Sequence, residues 1–268
     1  MQDAHAVATP MEVNFLQALQ NAKGSPPLDT INENPSAYRA LTGKLQYLIC
    51  MTRPDIAHAV NKLASANQAP NAVAWQGLKR LIRYLKSCPS DGLILPKKEI
   101  DSLRPVAYCD SNWSSPDTEG KSTTGYVIFI NGVPVSWKSG KQDSVSRSTT
   151  EAEYIAASDT ANELVWLNNL LENARLIQSH THDDGHEPAK IASTILCDNQ
   201  GAIKMANADG ITKAARHIYI RYHILRDLID KEEITLSYIP TSENKADGLT
   251  KPLPKDPFTA FRNGLNMG

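Results

Sequence analysis

Asp110, Glu153, Asp198 and Asp247 are the residues whose type and setting could do chemistry. Val106–Trp113 (Val-Ala-Tyr-Cys-Asp-Ser-Asn-Trp) opens as a β-favouring run and then presents Asp110, so this carboxylate is fixed at the end of a rigid strand. Ile191–Cys197 repeats the device, with Cys197-Asp198 echoing Cys109-Asp110. If the two strands are parallel neighbours, both acids leave the same sheet edge, where open α/β sheets bind ligands. Side chains alternate along a strand, so Cys109 and Cys197 are expected to point away from the acids, as packing residues. Glu153 is read in the first turn of a long helix and Asp247 in the last helix, where each can lean over that edge. Any one of these acids alone is commonly a cap or turn former. Four together repel one another, and divalent cations relieve the repulsion. Hard ions such as Mg²⁺ suit oxygen donors. A pair roughly 4 Å apart activates a water on one side and stabilises a leaving oxygen on the other, which is phosphodiester hydrolysis.

The elements that must position these acids follow from local pattern. Pro105–Asp110 reads as a strand, and Tyr126–Ile130 and Val133–Trp137 flank Asn131-Gly132, a strong hairpin signal. Ser148-Thr-Thr-Glu151 is a capping box that opens a helix to about Leu176. Its apolar residues include Ile155, Leu164, Trp166, Leu167, Leu170 and Leu171, so most of it is expected to be packed. After Ile191–Cys197 come a helix over Gln200–Asn207 capped by Asn199, and a turn at Asp209-Gly210. A helix over Arg216–Lys231, a strand over Ile234–Ile239 and a short helix over Glu243–Thr250 complete the order. The sequence β-β-β-α-β-α-α-β-α implies a mixed five-stranded α/β sheet, three strands antiparallel and two parallel, flanked by helices. The His-rich segment Ser179–Lys190 is read as a surface linker rather than a metal site.

Upstream, residues 1–35 read as an irregular lead-in, and Met11, close behind Met1, suggests a start partway through a larger unit. Ala37–Leu48, Asp55–Ala66 and Asn71–Ser87 read as a small helical region. On the last of these, Leu78, Leu81, Ile82 and Leu85 line one side and Lys79, Arg80, Arg83 and Lys86 the other. That basic face has two readings, a solvated surface or a helix along a nucleic-acid backbone. The boundary is placed between 88 and 104, giving a helical region over 1–95, a catalytic domain over 104–253 and a tail over 254–268.

Composition narrows the function classes. Lys and Arg total 28 against 29 Asp and Glu, so bulk charge does not hold nucleic acid, and local patches must. The four cysteines show neither disulfide nor zinc spacing, and a reducing intracellular compartment, cytoplasmic or nuclear, is expected. No apolar run suits a membrane span, so no membrane is expected as a partner; no small-molecule cofactor is expected either.

The second region resembles the ribonuclease H domain of copia-type LTR-retrotransposon Pol polyproteins. The matching stretches are Ala107-Tyr-Cys-Asp-Ser-Asn-Trp113, Lys121-Ser-Thr-Thr-Gly-Tyr126, Ser148-Thr-Thr-Glu-Ala-Glu-Tyr-Ile-Ala156, Asp198-Asn-Gln-Gly-Ala-Ile203, Arg216-His-Ile218 and Ala246-Asp-Gly-Leu-Thr-Lys-Pro-Leu253. Residues 1–95 resemble the C-terminal end of the preceding reverse transcriptase, in Thr52-Arg-Pro-Asp-Ile56 and Leu81-Ile-Arg-Tyr-Leu-Lys86. The resemblance implies a ribonuclease H-like fold, two Mg²⁺ ions (Mn²⁺ substituting) on Asp110, Glu153, Asp198 and Asp247, and RNA–DNA hybrid as substrate. In a retrotransposon the rest of the polyprotein would be its partner and a virus-like particle its location. Candidate substrate contacts are Ser111, Asn199, Gln200, Arg216, His217, Lys79 and Arg83. His217 and His223 keep a second reading as packing or capping residues. Glu151 is assigned to the capping box, not the metals. Three departures from the family stand out: Thr241-Ser242 in place of a loop histidine, Ala214-Ala215 before Arg216, and Gly248, expected to loosen the helix that aims Asp247.

The Asp-Asp hairpin of a polymerase palm is missing, since Asp183-Asp184 lies in the polar linker, so DNA synthesis by this chain is not expected. Two alternatives stand beside the nuclease. One is an integrase-type triad that uses Glu233 after Asp198. The other is a catalytically silent module that binds nucleic acid or serves as structure.

Overall fold

The alternating runs and the Asn131-Gly132 turn build one five-stranded sheet in a computed structural model that describes residues 5–28, 34–95, 103–113, 120–174, 176, 192–208 and 219–268. For 219–222 only the backbone is described. The strands are β1 (Pro105–Asn112), β2 (Thr123–Ile130), β3 (Val133–Lys141), β4 (Ser193–Cys197) and β5 (Ile234–Tyr238), in the order β3-β2-β1-β4-β5. β1–β2 and β2–β3 are antiparallel, and β1–β4 and β4–β5 are parallel. This is the mixed five-stranded sheet that the element order implies. Asn131 and Gly132 take φ of 50° and 77°, the left-handed pair that a tight hairpin requires.

Eight α-helices lie among the described residues: α1 (Phe15–Asn21), α2 (Pro35–Met51), α3 (Ala57–Ala64), α4 (Ala72–Ser87), α5 (Thr149–Asn173), α6 (Gln200–Ala206), α7 (Tyr219–Asp230) and α8 (Lys255–Gly264). Four of these helices start where a side chain supplies the missing acceptor, α2 among them, with Asn34 Oδ1 accepting from Ser36 N–H at 2.8 Å. Asn71 Oδ1 caps Ala74 N–H at 3.0 Å, Ser148 Oγ caps Glu151 N–H at 3.2 Å, and Asn199 Oδ1 caps Ala202 N–H at 2.9 Å. Glu151 closes its capping box one residue early, accepting from Arg147 N–H at 2.9 Å.

Strand alternation divides the core between two faces. Ala107, Cys109, Tyr126, Ile128, Ile195 and Cys197 pack against α5, α6 and α7. Val127 and Phe129 pack on the other face against α1–α4, Leu249, Leu253 and α8. The N-terminal helices therefore cover the second face of the sheet rather than only preceding it. Residues 254–268 join the same core through Phe258 and Phe261, and Gly92 and Gly268 exchange backbone hydrogen bonds.

Several expectations are corrected. The N-terminal lead-in holds α1, which buries Phe15, Leu16 and Leu19. Trp166 and Leu170 of α5 face solvent. The helix expected over Glu243–Thr250 is instead two 3₁₀ turns, Thr241–Glu243 and Asp247–Leu249. Asn244 separates them, donating from Nδ2 to the Cys109 carbonyl at 2.9 Å, a tie across the fold that a continuous helix would break. The histidine-rich segment, Asp209-Gly210 and Ala214-Ala215 lie outside the described residues. None of the described helices is long and apolar enough to cross a membrane.

Candidate active site

β1 and β4 run parallel in a register that pairs Tyr108 with Leu196. The same offset brings Cys109 beside Cys197 and Asp110 beside Asp198. Asp110 is buried and Asp198, just past β4, is half-buried. Glu153 reaches the edge from the second turn of α5, one turn later than expected, and is also buried. Asp247 opens a 3₁₀ turn and is half-buried. The four acids interact: Asp247 and Asp198 both act on Asp110, and Asp110 and Asp198 act on Glu153.

Burial and then the Asp247 charge push the Asp110 carboxyl up to about 6. The Thr250 hydroxyl, donating to Asp110 Oδ2, and Lys251 pull the other way. Glu153 is pushed further, to about 10, first by burial and then by Asp110, Cys197 and Asp198. The Ser111 N–H donated to its Oε1 at 3.1 Å opposes that rise only weakly. The edge is thus an acidic site short of positive charge.

Gly125 makes the packing of this edge possible. It pairs with Asp110 across β1–β2. A Cβ there would lie 2.7 Å from Thr250 Cγ2 and 2.8 Å from Leu249 Cβ. The bare backbone lets the turn carrying Asp247 and Thr250 settle on the sheet. Gly248 has a comparable role, since Phe261 of α8 fills the space a Cβ would need, with its nearest ring carbon at 2.5 Å. The expectation that Gly248 loosens this turn is therefore replaced by a closely packed contact.

Sequence reasoning missed Lys251. Its Nζ lies 2.5 Å from Asp247 Oδ1, and it also feels Asp110 and Asp198. The i,i+4 spacing from Asp247 was the available signal. Cys109 and Cys197 face α5 as alternation requires, but Cys197 does more than pack: its Sγ lies 3.9 Å from Glu153 Oε2.

The candidate substrate contacts scatter. Ser111 sits at the edge, with its Oγ buried and without a hydrogen-bond partner among the described residues. Asn199 spends its side chain capping α6, and Gln200 is exposed on the first turn of that helix. Lys79 lies over the Trp75 ring and Arg83 donates to the His5 carbonyl, both on α4 and outside the carboxylate cluster. Arg216 and His217 lie outside the described residues, and His223 is exposed on α7. Glu233 rules itself out of an Asp198 triad. It precedes β5, which runs parallel to β4 from Ser193↔Ile234, so it lies about 20 Å along the strands from Asp198.

No protein-family model matches the chain. It is 34% identical over 267 residues to the retrovirus-related Pol polyprotein from transposon RE2 of Arabidopsis thaliana, covering 100% of this chain and 17% of that polyprotein. It is 32% identical over 269 residues to the polyprotein from transposon TNT 1-94 of Nicotiana tabacum, covering 100% and 19%. The chain thus spans less than a fifth of the length of these relatives. Among solved structures, LC11-RNase H1 isolated from compost matches 55% of this chain and 93% of its own, at 16% identity and a TM-score of 0.35. A score that low leaves the fold to be argued from strand order alone.

Proposed function

The chain belongs to the Pol polyprotein family of copia-type retrotransposons, and from that premise we propose that it is the family's ribonuclease H, a metal-dependent endonuclease that cuts the RNA strand of RNA–DNA hybrids. The observation that carries this reading is the charge imbalance at the β1–β4 edge. Two buried carboxylates, Asp110 and Glu153, hold protons more tightly than free acids do, beside two further acids and one lysine.

An all-oxygen carboxylate set short of positive charge fits hard divalent cations. Mg²⁺, with Mn²⁺ as substitute, would be held by Asp110, Glu153, Asp198 and Asp247. A bound pair would supply an activated water and charge stabilisation at the leaving oxygen. The chain's own residues prepare that site. Thr250 fixes the Asp110 carboxylate, and the Ser111 N–H fixes Glu153. Asn244 ties the turn bearing Asp247 to β1, which keeps the fourth acid at the edge. A 2′-hydroxyl is the group that separates RNA from DNA in a mixed helix. Hydrolysis would leave a 3′-hydroxyl and a 5′-phosphate. The rest of a Pol polyprotein is the proposed partner in handling the hybrid.

The test is cleavage of a labelled RNA–DNA hybrid in Mg²⁺ and in Mn²⁺, beside duplex RNA and Asp110→Asn. Cutting confined to the RNA of the hybrid and abolished by the substitution supports the reading. Folded protein that cuts in neither metal overturns it.

A further inference from the structure

The carboxylate edge also holds sulfur. Cys197 lies on the α5 side of β4, fully buried, with its Sγ 3.9 Å from Glu153 Oε2. One ligand atom each from Glu153, Cys197 and Asp198 lies within 4.8 Å of the others. In a tetrahedral zinc site, bond lengths near 2.3 Å to sulfur and 2.1 Å to oxygen put neighbouring S and O atoms about 3.6 Å apart. The three side chains therefore need to draw together by only about 1 Å to enclose such an ion.

Two donors are aimed at that sulfur. Asn199 N–H reaches Cys197 Sγ at 3.4 Å, and the Cys109 thiol on the neighbouring strand also hydrogen-bonds to it. Sulfur that accepts hydrogen bonds from its surroundings is the outer-shell arrangement of a thiolate ligand. A magnesium site has no use for it, because hard ions take oxygen, whereas thiolates select softer metals.

We propose that Cys197, Glu153 and Asp198 form a binding site for a soft divalent cation of the zinc or cadmium class, overlapping the magnesium site through the two shared carboxylates. Binding forms a metal–sulfur bond, and the Cys197 thiol proton passes to solvent. No oxidant or reductant is involved. Cys109 is a positioning residue that holds the sulfur. Because Glu153 and Asp198 cannot serve both ions in one geometry, the soft cation inhibits the nuclease. Inhibition rests on the proposed function, whereas binding does not.

The experiment titrates the full chain with Cd²⁺ in the absence of Mg²⁺ and reads the ultraviolet thiolate-to-cadmium band. One equivalent is expected to saturate it. Cys197→Ala and the near-isosteric Cys197→Ser are each expected to weaken binding at least roughly 100-fold, and Cys109→Ala about 10-fold. In Mg²⁺ with hybrid, zinc inhibition is then read relative to each variant's own rate, and the concentration for half-inhibition should rise in the same order. Absence of the band from folded protein overturns the proposal. So does a band undiminished in folded Cys197→Ser, which would trace to Cys50, Cys88 or Cys109. Binding without the band, through nitrogen donors such as the histidines of 180–186, overturns it too. If hybrid is never cut, the nuclease reading fails while the band still decides the site.

Discussion

Two sets of buried carboxylates in this molecule are treated in opposite ways. Under the N-terminal helices, Asp55 is fully buried yet saturated with donors. Arg53 Nε and Nη2 grip it at 2.9 and 2.8 Å, the Tyr84 hydroxyl donates at 2.5 Å, and Arg262 approaches to 3.9 Å. Arg53 in turn donates to the Cys88 carbonyl at 3.2 Å. At the β1–β4 edge, Asp110 and Glu153 are buried with a hydroxyl, a backbone N–H, other acids and one lysine nearby. Burial is common to both groups, so burial does not mark the functional one. The difference is counter-charge: the first group brings its own cations, and the second is left to receive them.

Replacing one acid from each group breaks the comparison most directly. Asp110→Asn is expected to lower hybrid cleavage roughly 1000-fold or more. The same change should raise stability in chelator by on the order of 1 kcal/mol, since it removes a repelled charge. Asp55→Asn should do the reverse, costing roughly 3–5 kcal/mol of unfolding free energy because it strands the Arg53 guanidinium. Cleavage per folded molecule should survive it. Denaturant melts and single-turnover cleavage on the two variants check both halves, and matching behaviour would dissolve the distinction.

Proton linkage is the next lever. With the Asp110 carboxyl raised to about 6, the folded chain holds that proton more tightly than the unfolded chain. Its stabilising effect is therefore full at low pH and is lost as pH rises through 6, and Glu153 extends the decline toward 10. Divalent metal favours the charged forms, so the gap between metal-bound and metal-free Tm should widen from pH 5 to pH 8. A gap independent of pH would argue that these acids do not take the ion.

Two smaller effects sharpen the picture. Gly125→Ala drives a methyl into Thr250 and Leu249, and is expected to cost about 1–3 kcal/mol of stability. Its cleavage rate per folded molecule should also fall, because Thr250 and Asp247 move away from Asp110. Lys251→Met removes the cation resident beside Asp247, and should tighten apparent Mg²⁺ binding about threefold to tenfold in calorimetry. Weaker binding would instead make Lys251 a partner of the loaded site.

Legibility in the sequence followed the range of the forces. The hairpin at Asn131-Gly132 and the caps at Ser148 and Asn199 rest on contacts a few residues apart, and they appear where the pattern predicts. α1 left no such signal: Asn14 makes no capping hydrogen bond, its first turn carries no acid, and Phe15 is held by packing against Gly77 some sixty residues away. The segment around Asp247 was misread as a helix because Asn244 answers to Cys109 across the fold rather than to its chain neighbours.

By itself the sequence determined the order of the five strands and the mixed sheet, and it singled out the four acids as candidates, since periodicity, turn chemistry and residue type are local. Only the tertiary structure decided that the N-terminal helices and α8 cover the second face of the sheet. It alone set Gly125 under the turn that bears Asp247, and Lys251 and Cys197 beside the acids. Those placements come from contacts between segments far apart in the chain, and no window of neighbouring residues records them.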